Sequence, residues 1–259
     1  MVKRFLFVLG VVCLLLGLPG AAKAQQQAAE PAVYTYVAEW AVPRAQWDDF
    51  VANWEKNSKP ILEKMSANGT LVGWGAYSTV IHEPDGFTHG AWWAATSIAG
   101  LEKVRDELIK QPPNAPLIAA TRHRDYLLRS IFHGTRATGP ASGYLWVSSS
   151  MVQPGKGQDW RAYWEKYSKP VYDQLLKDGT ITYYSLDVEQ VHTEPSGLRF
   201  VVYITPNADG VDKVTAAFAA ETQKRSEAER NALGVAFGDM VVAGAHRDYF
   251  ARVSSYWTK

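Results

Sequence analysis

The sequence predicts an α+β protein made of two tandem βαββαβ units. Three repeated phrases lead to this fold class: WEKNSKP at 54–60 returns as WEKYSKP at 164–170, NGT at 68–70 returns as DGT at 178–180, and HRDY occurs at 123–126 and 246–249. The phrases keep the same order in both halves, and their offset grows only through local insertions. We therefore interpret the chain as a duplication of one unit of about 110 residues.

The first unit, 34–133, begins with a strand rich in aromatic residues and valine. Apolar side chains at helical spacing then predict an amphipathic helix that ends at Asn68-Gly69. Proline and glycine in EPDG predict a tight turn between the next two strands. The predicted elements are a strand at 34–42, a helix at 45–67, strands at 70–82 and 87–97, a helix at 98–110 and a strand at 123–132.

The second unit, 144–259, repeats this order, with the turn EPSG and a longer helical stretch within 211–235. The run 134–143 is rich in Gly, Ser, Thr and Pro and is predicted to be a linker. A βαββαβ unit describes a four-stranded antiparallel sheet with both helices on one face, the ferredoxin-like plan. We expect the two sheets to pack as an α+β barrel within the chain.

Both copies of the opening phrase place a proline, Pro60 or Pro170, inside the first helix of a unit, which predicts a kink. We expect the serine two residues before each proline to cap the restarted helix. We expect Trp54 and Trp164 to pack on the sheet. A ligand-binding helix break is the alternative interpretation.

Residues 1–24 have the pattern of a secretory signal peptide, followed by a flexible segment at 25–33. Lys3 and Arg4 precede the apolar run 5–18, and AAKA follows it. This run is shorter than the roughly 20 residues that a spanning helix needs, so cleavage is favoured over a retained anchor. We expect an exported protein, periplasmic or extracellular, with no membrane span after cleavage.

Cleavage would change what chemistry the chain can carry. Cys13 is the one cysteine, so the mature chain would have neither disulfides nor thiolate chemistry. It would have 24 basic and 26 acidic residues and no basic stripe, which argues against a nucleic-acid partner. GxSxG, HExxH, P-loop and dinucleotide-turn motifs are absent from the sequence.

Tandem βαββαβ units, each with a tryptophan-bearing first helix and a tight turn between the second and third strands, resemble the dimeric α+β barrel superfamily over about 34–132 and 144–257. Its members include antibiotic-biosynthesis-type monooxygenases, haem-handling relatives and uncharacterised stress-related proteins. The resemblance rests on element order and carries over no catalytic residue. Haem-degrading members present a helical histidine to iron, and none stands in the predicted helices, so haem is not favoured and no cofactor is the default expectation.

Four histidines are candidate acid–base residues. His82 and His192 precede the two turns, next to Glu83 and Glu194. His123 and His246 begin the HRDY strands, where alternation places each histidine and the following aspartate on one face, as in a His–Asp pair. In the alternative interpretation these residues are structural. His82 and His192 order the turns, and the Arg and Asp of HRDY tie the strand to its neighbours. A metal site in HEPDGFTH is not favoured, and none is expected.

Six aromatic residues of the predicted hairpins are candidate walls of an apolar pocket: Trp74, Trp92, Trp93, Tyr183, Tyr184 and Tyr203. Ordinary core packing is the alternative. The leading hypothesis is an exported small-molecule-binding protein. The alternatives are a cofactor-independent monooxygenase-like enzyme that stabilises a substrate anion and a non-catalytic envelope or stress-related interaction protein. The sequence is compatible with a homo-oligomer.

Overall fold

Eight antiparallel strands form a closed barrel. The computed structural model describes residues 32–84, 86–112, 114–136, 138–192 and 196–259. The strands are β1 Tyr34–Trp40, β2 Gly73–Thr79, β3 His89–Ala95, β4 His123–Thr135, β5 Thr138–Met151, β6 Tyr183–Glu189, β7 Leu198–Thr205 and β8 Arg247–Thr258. Their order around the ring is β1-β3-β2-β8-β5-β7-β6-β4, and β4 pairs with β1. The prediction of an α+β barrel within one chain is confirmed.

Two strand pairs join the halves of the ring. One half has the order β4-β1-β3-β2 and the other the order β8-β5-β7-β6. The pairs β2–β8 and β4–β6 connect them. Closure leaves none of the described strands with an open edge, which removes the usual template for aggregation.

Several predictions concern residues outside the described ranges. These are the signal peptide at 1–24, most of the 25–33 segment, and Asp85 and Glu194 in the two turns. Within the described ranges, no helix is both long enough and apolar enough to cross a bilayer.

The helices connect the strands and pack on the outside of the barrel. They are α1 Trp47–Asn53, α2 Lys59–Ala67, α3 Ile98–Leu108, α4 Ala115–Ile118, α5 Gly157–Tyr167, α6 Lys169–Asp178, α7 Ala208–Gln223 and α8 Glu227–Met240. The helical stretch predicted within 211–235 is two helices. A capping box explains the division, because Ser226 Oγ accepts from the Glu229 N–H while the Glu229 carboxylate accepts from the Ser226 N–H.

The predicted interruption of each first helix is confirmed. A π-helical turn, Trp54–Ser58, separates α1 from α2, and α6 follows α5 directly after Ser168. Pro60 and Pro170 stand in the first turn of the restarted helices, where the missing N–H is tolerated. The predicted serine caps are wrong. Both serines keep helical backbone angles, so neither side chain turns back to accept a backbone N–H.

The run 134–143 is mostly strand and not an irregular linker. β4 continues to Thr135, and β5 begins at Thr138. A side chain at Gly143 would place its Cβ 2.4 Å from the Thr205 carbonyl oxygen. The small residues that suggested a linker therefore permit close approach of neighbouring strands.

Alternating side chains divide between two layers. Trp54 and Leu62 from the first helix and Leu101 from α3 pack on Trp74 and Trp93 in the helix–sheet layer of the first half. Trp160 and Trp164 pack in the corresponding layer of the second half. The predicted packing of Trp54 and Trp164 is thus confirmed. Apolar residues from strands across the ring fill the barrel interior.

A buried polar cluster ties three strands inside the barrel. Tyr77 Oη on β2 donates to Glu39 Oε1 on β1 at 2.6 Å, and Arg124 Nε on β4 donates to Glu39 Oε2 at 2.6 Å. Charge-assisted bonds of this kind are stronger than neutral ones. The arginine of the first HRDY therefore ties its strand to a neighbour, as the structural alternative expects.

A second interior carboxyl, Asp187 on β6, is 3% exposed. Ser130 and Ser185 each donate a hydroxyl hydrogen bond to it at 2.6 Å. Burial raises the pKa of Asp187 to about 6 despite these bonds. Its ionised form is therefore unfavourable in the folded state.

We expect Asp187→Asn to stabilise the protein increasingly as pH rises. The folded-state pKa is raised, so stability is fully present below the unfolded value near 3.8 and is lost as pH rises through about 6. The carboxyl then destabilises by on the order of 3 kcal/mol at neutral pH. Urea unfolding of both proteins at about pH 4 and about pH 8 measures this. Equal differences at the two values would contradict the assignment.

Gly75→Ala should destabilise the barrel, because the new Cβ would lie 2.1 Å from the Trp92 ring inside it. Overpacking of this kind costs about 1–3 kcal/mol. Gly238→Ala is the matched control: it lies in α8 with no atom within 4 Å of the new Cβ and should stabilise the helix by about 0.5–1 kcal/mol. Denaturant midpoints that shift alike for both variants would refute the packing.

Candidate functional site

Two alanines of neighbouring strands lie on the helix-facing side of the sheet in the first half and are the candidate floor of a site. Ala38 on β1 pairs with Ala91 on β3 and with Asp125 on β4, and both alanines are 3% exposed. Larger side chains of the same strands surround them. We call this the alanine-floored site and define it by Tyr36, Ala38, Trp40, Ala91, Trp93, His123 and Asp125.

Stacked rings form two walls of the site. Tyr36 stacks on its register partner Trp93, with ring centroids 4.5 Å apart and planes 18° apart. Trp40 stacks on its register partner His123 at 5.3 Å and 7°. Because side chains two residues apart on a strand share a face, Tyr36, Ala38 and Trp40 of β1 line the site together.

His123 and Asp125 form the predicted pair at the solvent side of the site. The distance from His123 Nε2 to Asp125 Oδ1 is 3.1 Å, and the two side chains are 47% and 39% exposed. Oδ1 is buried, and the His123 imidazole and the Tyr36 phenol are its polar neighbours. A carboxylate oxygen in this position can accept a proton from a bound molecule.

Two further polar groups face the same layer. Burial, with a smaller contribution from the Asp125 carboxylate, raises the pKa of Tyr36 well above its usual range, so the phenol keeps its proton. Trp93 Nε1 is buried and has no hydrogen-bond partner among the described residues. Gln46 Oε1 and Trp74 Nε1 are likewise buried without a hydrogen-bond partner among the described residues. An unpaired buried polar group in a native structure is usually satisfied by a water or a ligand, or has a catalytic role.

The interrupted first helix belongs to the same layer. Trp54, in the π-helical turn, donates from Nε1 to Ser255 Oγ on β8 at 3.0 Å. Asn114, the N-cap of α4, donates to Asn53 at the end of α1 at 2.8 Å. π-helical turns occur often at functional sites, which supports the ligand-binding alternative for the first copy of the repeated phrase.

The described chain is similar to solved structures that span nearly its whole length. A presumed monooxygenase from Lactobacillus acidophilus NCFM has a TM-score of 0.63 at 9% identity, covering 88% of this chain and 97% of that one. A presumed monooxygenase from Fusobacterium nucleatum has a TM-score of 0.62 at 9% identity, covering 89% and 96%. An anthrone oxidase-like protein has a TM-score of 0.55 at 12% identity, covering 89% and 94%. The fold is the α+β barrel of these proteins.

This identification concerns the fold alone, because all three identities are low. No protein-family model matches the sequence, and no curated protein does. The functional residues of this α+β barrel therefore cannot be transferred from these neighbours and follow only from the geometry of its own side chains.

The structure separates the six aromatic rings that were predicted as pocket walls. Trp74 and Trp93 lie in the helix–sheet layer of the first half. Tyr184 and Tyr203 lie in that of the second half. Trp92 and Tyr183 point into the barrel interior. Neighbours on a strand face opposite ways, so these rings cannot line one pocket, and a ligand role for them stays a prediction.

Of the four candidate histidines, His123 lies in the alanine-floored site. His82 is exposed, and its ring centroid lies 5.0 Å from that of Trp47. His192 is exposed, and none of the described residues that define the site is found in contact with it. His246 pairs with Asp248 in the second half, with Nε2 3.1 Å from Oδ2. The catalytic role of each stays a prediction.

His89 is buried against Phe50 and Trp47, at ring distances of 4.5 and 5.4 Å. Burial, with a smaller contribution from His82, lowers its pKa to about 4, so it is neutral near pH 7. Among the described residues, no group of three or more His, Cys, Asp and Glu is arranged to hold a metal. None of the six histidines lies on a described helix, so the helical imidazole that haem-degrading members of the superfamily use has no counterpart among the described residues.

Trp93→Phe should destabilise the protein less than Trp54→Phe. Both indoles are 5% exposed and lose similar apolar area. The Trp93 N–H is unpaired, whereas loss of the Trp54 N–H leaves buried Ser255 without its donor. We expect Trp54→Phe to be less stable by about 1–3 kcal/mol in chemical denaturation. The reverse order would show that Trp93 has a structural partner and would weaken the site.

Proposed function

We propose that the protein is a monooxygenase-type enzyme that oxidises a small aromatic substrate with O2 at the alanine-floored site. One observation carries the proposal: the Asp125 carboxylate and Trp93 Nε1, an acceptor and a donor, lie on the same helix–sheet layer, and the indole N–H is buried without a hydrogen-bond partner among the described residues. The fold similarity to two presumed monooxygenases and an anthrone oxidase-like protein supports the reaction class.

In the proposed reaction, Asp125 removes a proton from an acidic C–H of the substrate. The Trp93 N–H and the protonated Tyr36 phenol donate hydrogen bonds to the oxygen on which the negative charge develops. His123, 3.1 Å from Asp125, relays the proton between the carboxylate and solvent. Stabilisation of the anion by fixed donors is what makes deprotonation feasible near neutral pH.

The substrate anion then supplies the electrons that O2 needs. The carbanion carbon bonds to one oxygen atom, and the terminal oxygen of the resulting peroxide takes back the abstracted proton. The remaining hydrogen on that carbon then leaves as a proton. The O–O bond breaks, the terminal oxygen leaves as hydroxide, and a C=O bond forms. One oxygen atom ends in the product and the other in water, so a CH2 group and O2 give a carbonyl group and H2O.

A binding function without turnover is the second candidate, and one observation favours it. A groove of about 200 Å3 lies in the second half among α5, α7 and α8. Tyr163, Tyr167 and Phe218 line it, together with Arg225 and Arg230. Tyr167 lies under the Arg225 guanidinium, 5.3 Å from ring to cation. None of the six aromatic residues predicted to line a pocket is among its lining residues, so the groove supports a small-molecule-binding function at a different place.

We also infer that the chain is a tandem duplication of one ferredoxin-like unit and is exported after cleavage near residue 24. The repeated phrases and the matching strand order of the two halves support duplication. The charged start, the apolar run and AAKA support export to the periplasm or beyond. A small molecule is the expected partner.

The reaction is tested by O2 uptake of residues 25–259 with anthrone, a tricyclic ketone with an acidic CH2 group. We expect Asp125→Asn to lower the rate at least 100-fold and Trp93→Phe to lower it about 10- to 100-fold, because each removes a group used on the anion. Asp106→Asn, an exposed carboxylate on α3, is the matched control and should leave the rate unchanged.

Two results would overturn the proposal. Uptake that survives Asp125→Asn in a folded protein would exclude this site as the source of activity. Tight anthrone binding, followed by fluorescence quenching, without any O2 uptake would favour the binding function.

A further inference from the structure

A serine, a histidine and an aspartate meet on the helix-facing side of β5 and β8. Ser150 Oγ lies 3.2 Å from His246 Nδ1, and His246 Nε2 lies 3.1 Å from Asp248 Oδ2. With Nε2 carrying the proton toward Asp248, Nδ1 is left to accept from the serine hydroxyl. We propose that Ser150, His246 and Asp248 form a nucleophilic triad that hydrolyses small activated esters.

The first half does not carry this arrangement. Its His123–Asp125 pair has the same spacing, but Trp40 occupies the place beside the histidine that Ser150 occupies in the second half. A hydroxyl nucleophile is therefore present beside only one of the two pairs. The triad is assembled from two strands about 100 residues apart, which is why it has no GxSxG signature.

The burial of the three groups sets the size of substrate. Ser150 is 9% exposed, whereas the side chains of His246 and Asp248 are 56% and 43% exposed. The imidazole thus stands at the surface, with the hydroxyl beneath it. Because the serine is the most buried of the three, esters of acetate or similar short acids are the expected class.

A cationic residue stands on the strand next to Ser150. Arg199 on β7 is the register partner of Ser150, so the two side chains leave the sheet on the same face with Cβ atoms about 5 Å apart. Its Nη1 donates to the Leu198 carbonyl oxygen at 2.9 Å, and its other N–H groups can serve a bound oxyanion.

The chemistry balances without a further reactant. The Ser150 oxygen bonds to the acyl carbon, its proton passes to His246 Nδ1, and the ester C–O bond breaks. His246 returns that proton to the departing alkoxide. Water then attacks the acyl-serine and gives a proton to Nδ1; the acyl C–O bond to Ser150 breaks, the acid leaves, and His246 returns that proton to the serine oxygen. No oxidant is involved, so the test of the triad is independent of the test of the proposed oxidation.

Two readouts on residues 25–259 test the triad: covalent labelling by a fluorophosphonate, mapped by peptide mass spectrometry, and hydrolysis of p-nitrophenyl acetate under anaerobic conditions. We expect one adduct, on Ser150. Ser150→Ala should abolish the adduct and lower hydrolysis at least 100-fold, and His246→Ala should slow both at least 10-fold. Ser149→Ala is the matched control, because that hydroxyl faces the Arg247 carbonyl and should change neither.

Circular dichroism and thermal melting confirm that each variant is folded. His133→Ala controls for hydrolysis by a histidine outside the triad and should leave the rate unchanged. The proposal is overturned by an adduct on another residue, by hydrolysis that survives Ser150→Ala, or by wild-type protein that neither labels nor exceeds the buffer rate.

Discussion

Antiparallel pairing of β2 with β8 and of β4 with β6 is the constraint on which the rest of the structure depends. It closes the ring and separates an interior from two helix-covered layers. The Arg124–Glu39 bond then fixes β4 against β1 from inside. Because neighbouring side chains face opposite ways, anchoring Arg124 inward turns His123 and Asp125 outward, toward the alanines. A structural bond inside the barrel thus positions the candidate chemistry outside it.

Element order and most strand positions could be predicted from the sequence, because periods of two and 3.6 residues follow directly from which face is buried. The 134–143 run could not, because the small residues of a linker are also those that let strands approach closely. The His–Asp pairing followed from alternation within one strand. Ala38 and Ala91 carry no chemical signal, and their meeting depends on register between strands about 50 residues apart. Trp92 and Trp93 show the same limit of prediction from sequence. Residue type does not reveal which tryptophan faces the barrel interior and which faces the helices.

Corresponding positions of the barrel carry different chemistry in its two halves. A His–Asp pair stands at both, but one lies beside stacked tryptophan over an alanine floor and the other beside a serine hydroxyl. The backbone geometry that holds the pair is common to both, so the neighbouring side chain decides what the pair can do. One fold can in this way carry a deprotonation site and a nucleophile at separate places.

The place of β8 in the ring has a consequence for assembly. This strand, the last in the chain, inserts between β2 and β5, and Gly73 pairs with Thr258. The edge of β2 therefore stays unpaired until β8, the last of the described strands, is available to pair with it. Folding dominated by such distant pairings is slow and leaves intermediates with exposed edges. Closure of the barrel is therefore expected to be a late step of folding.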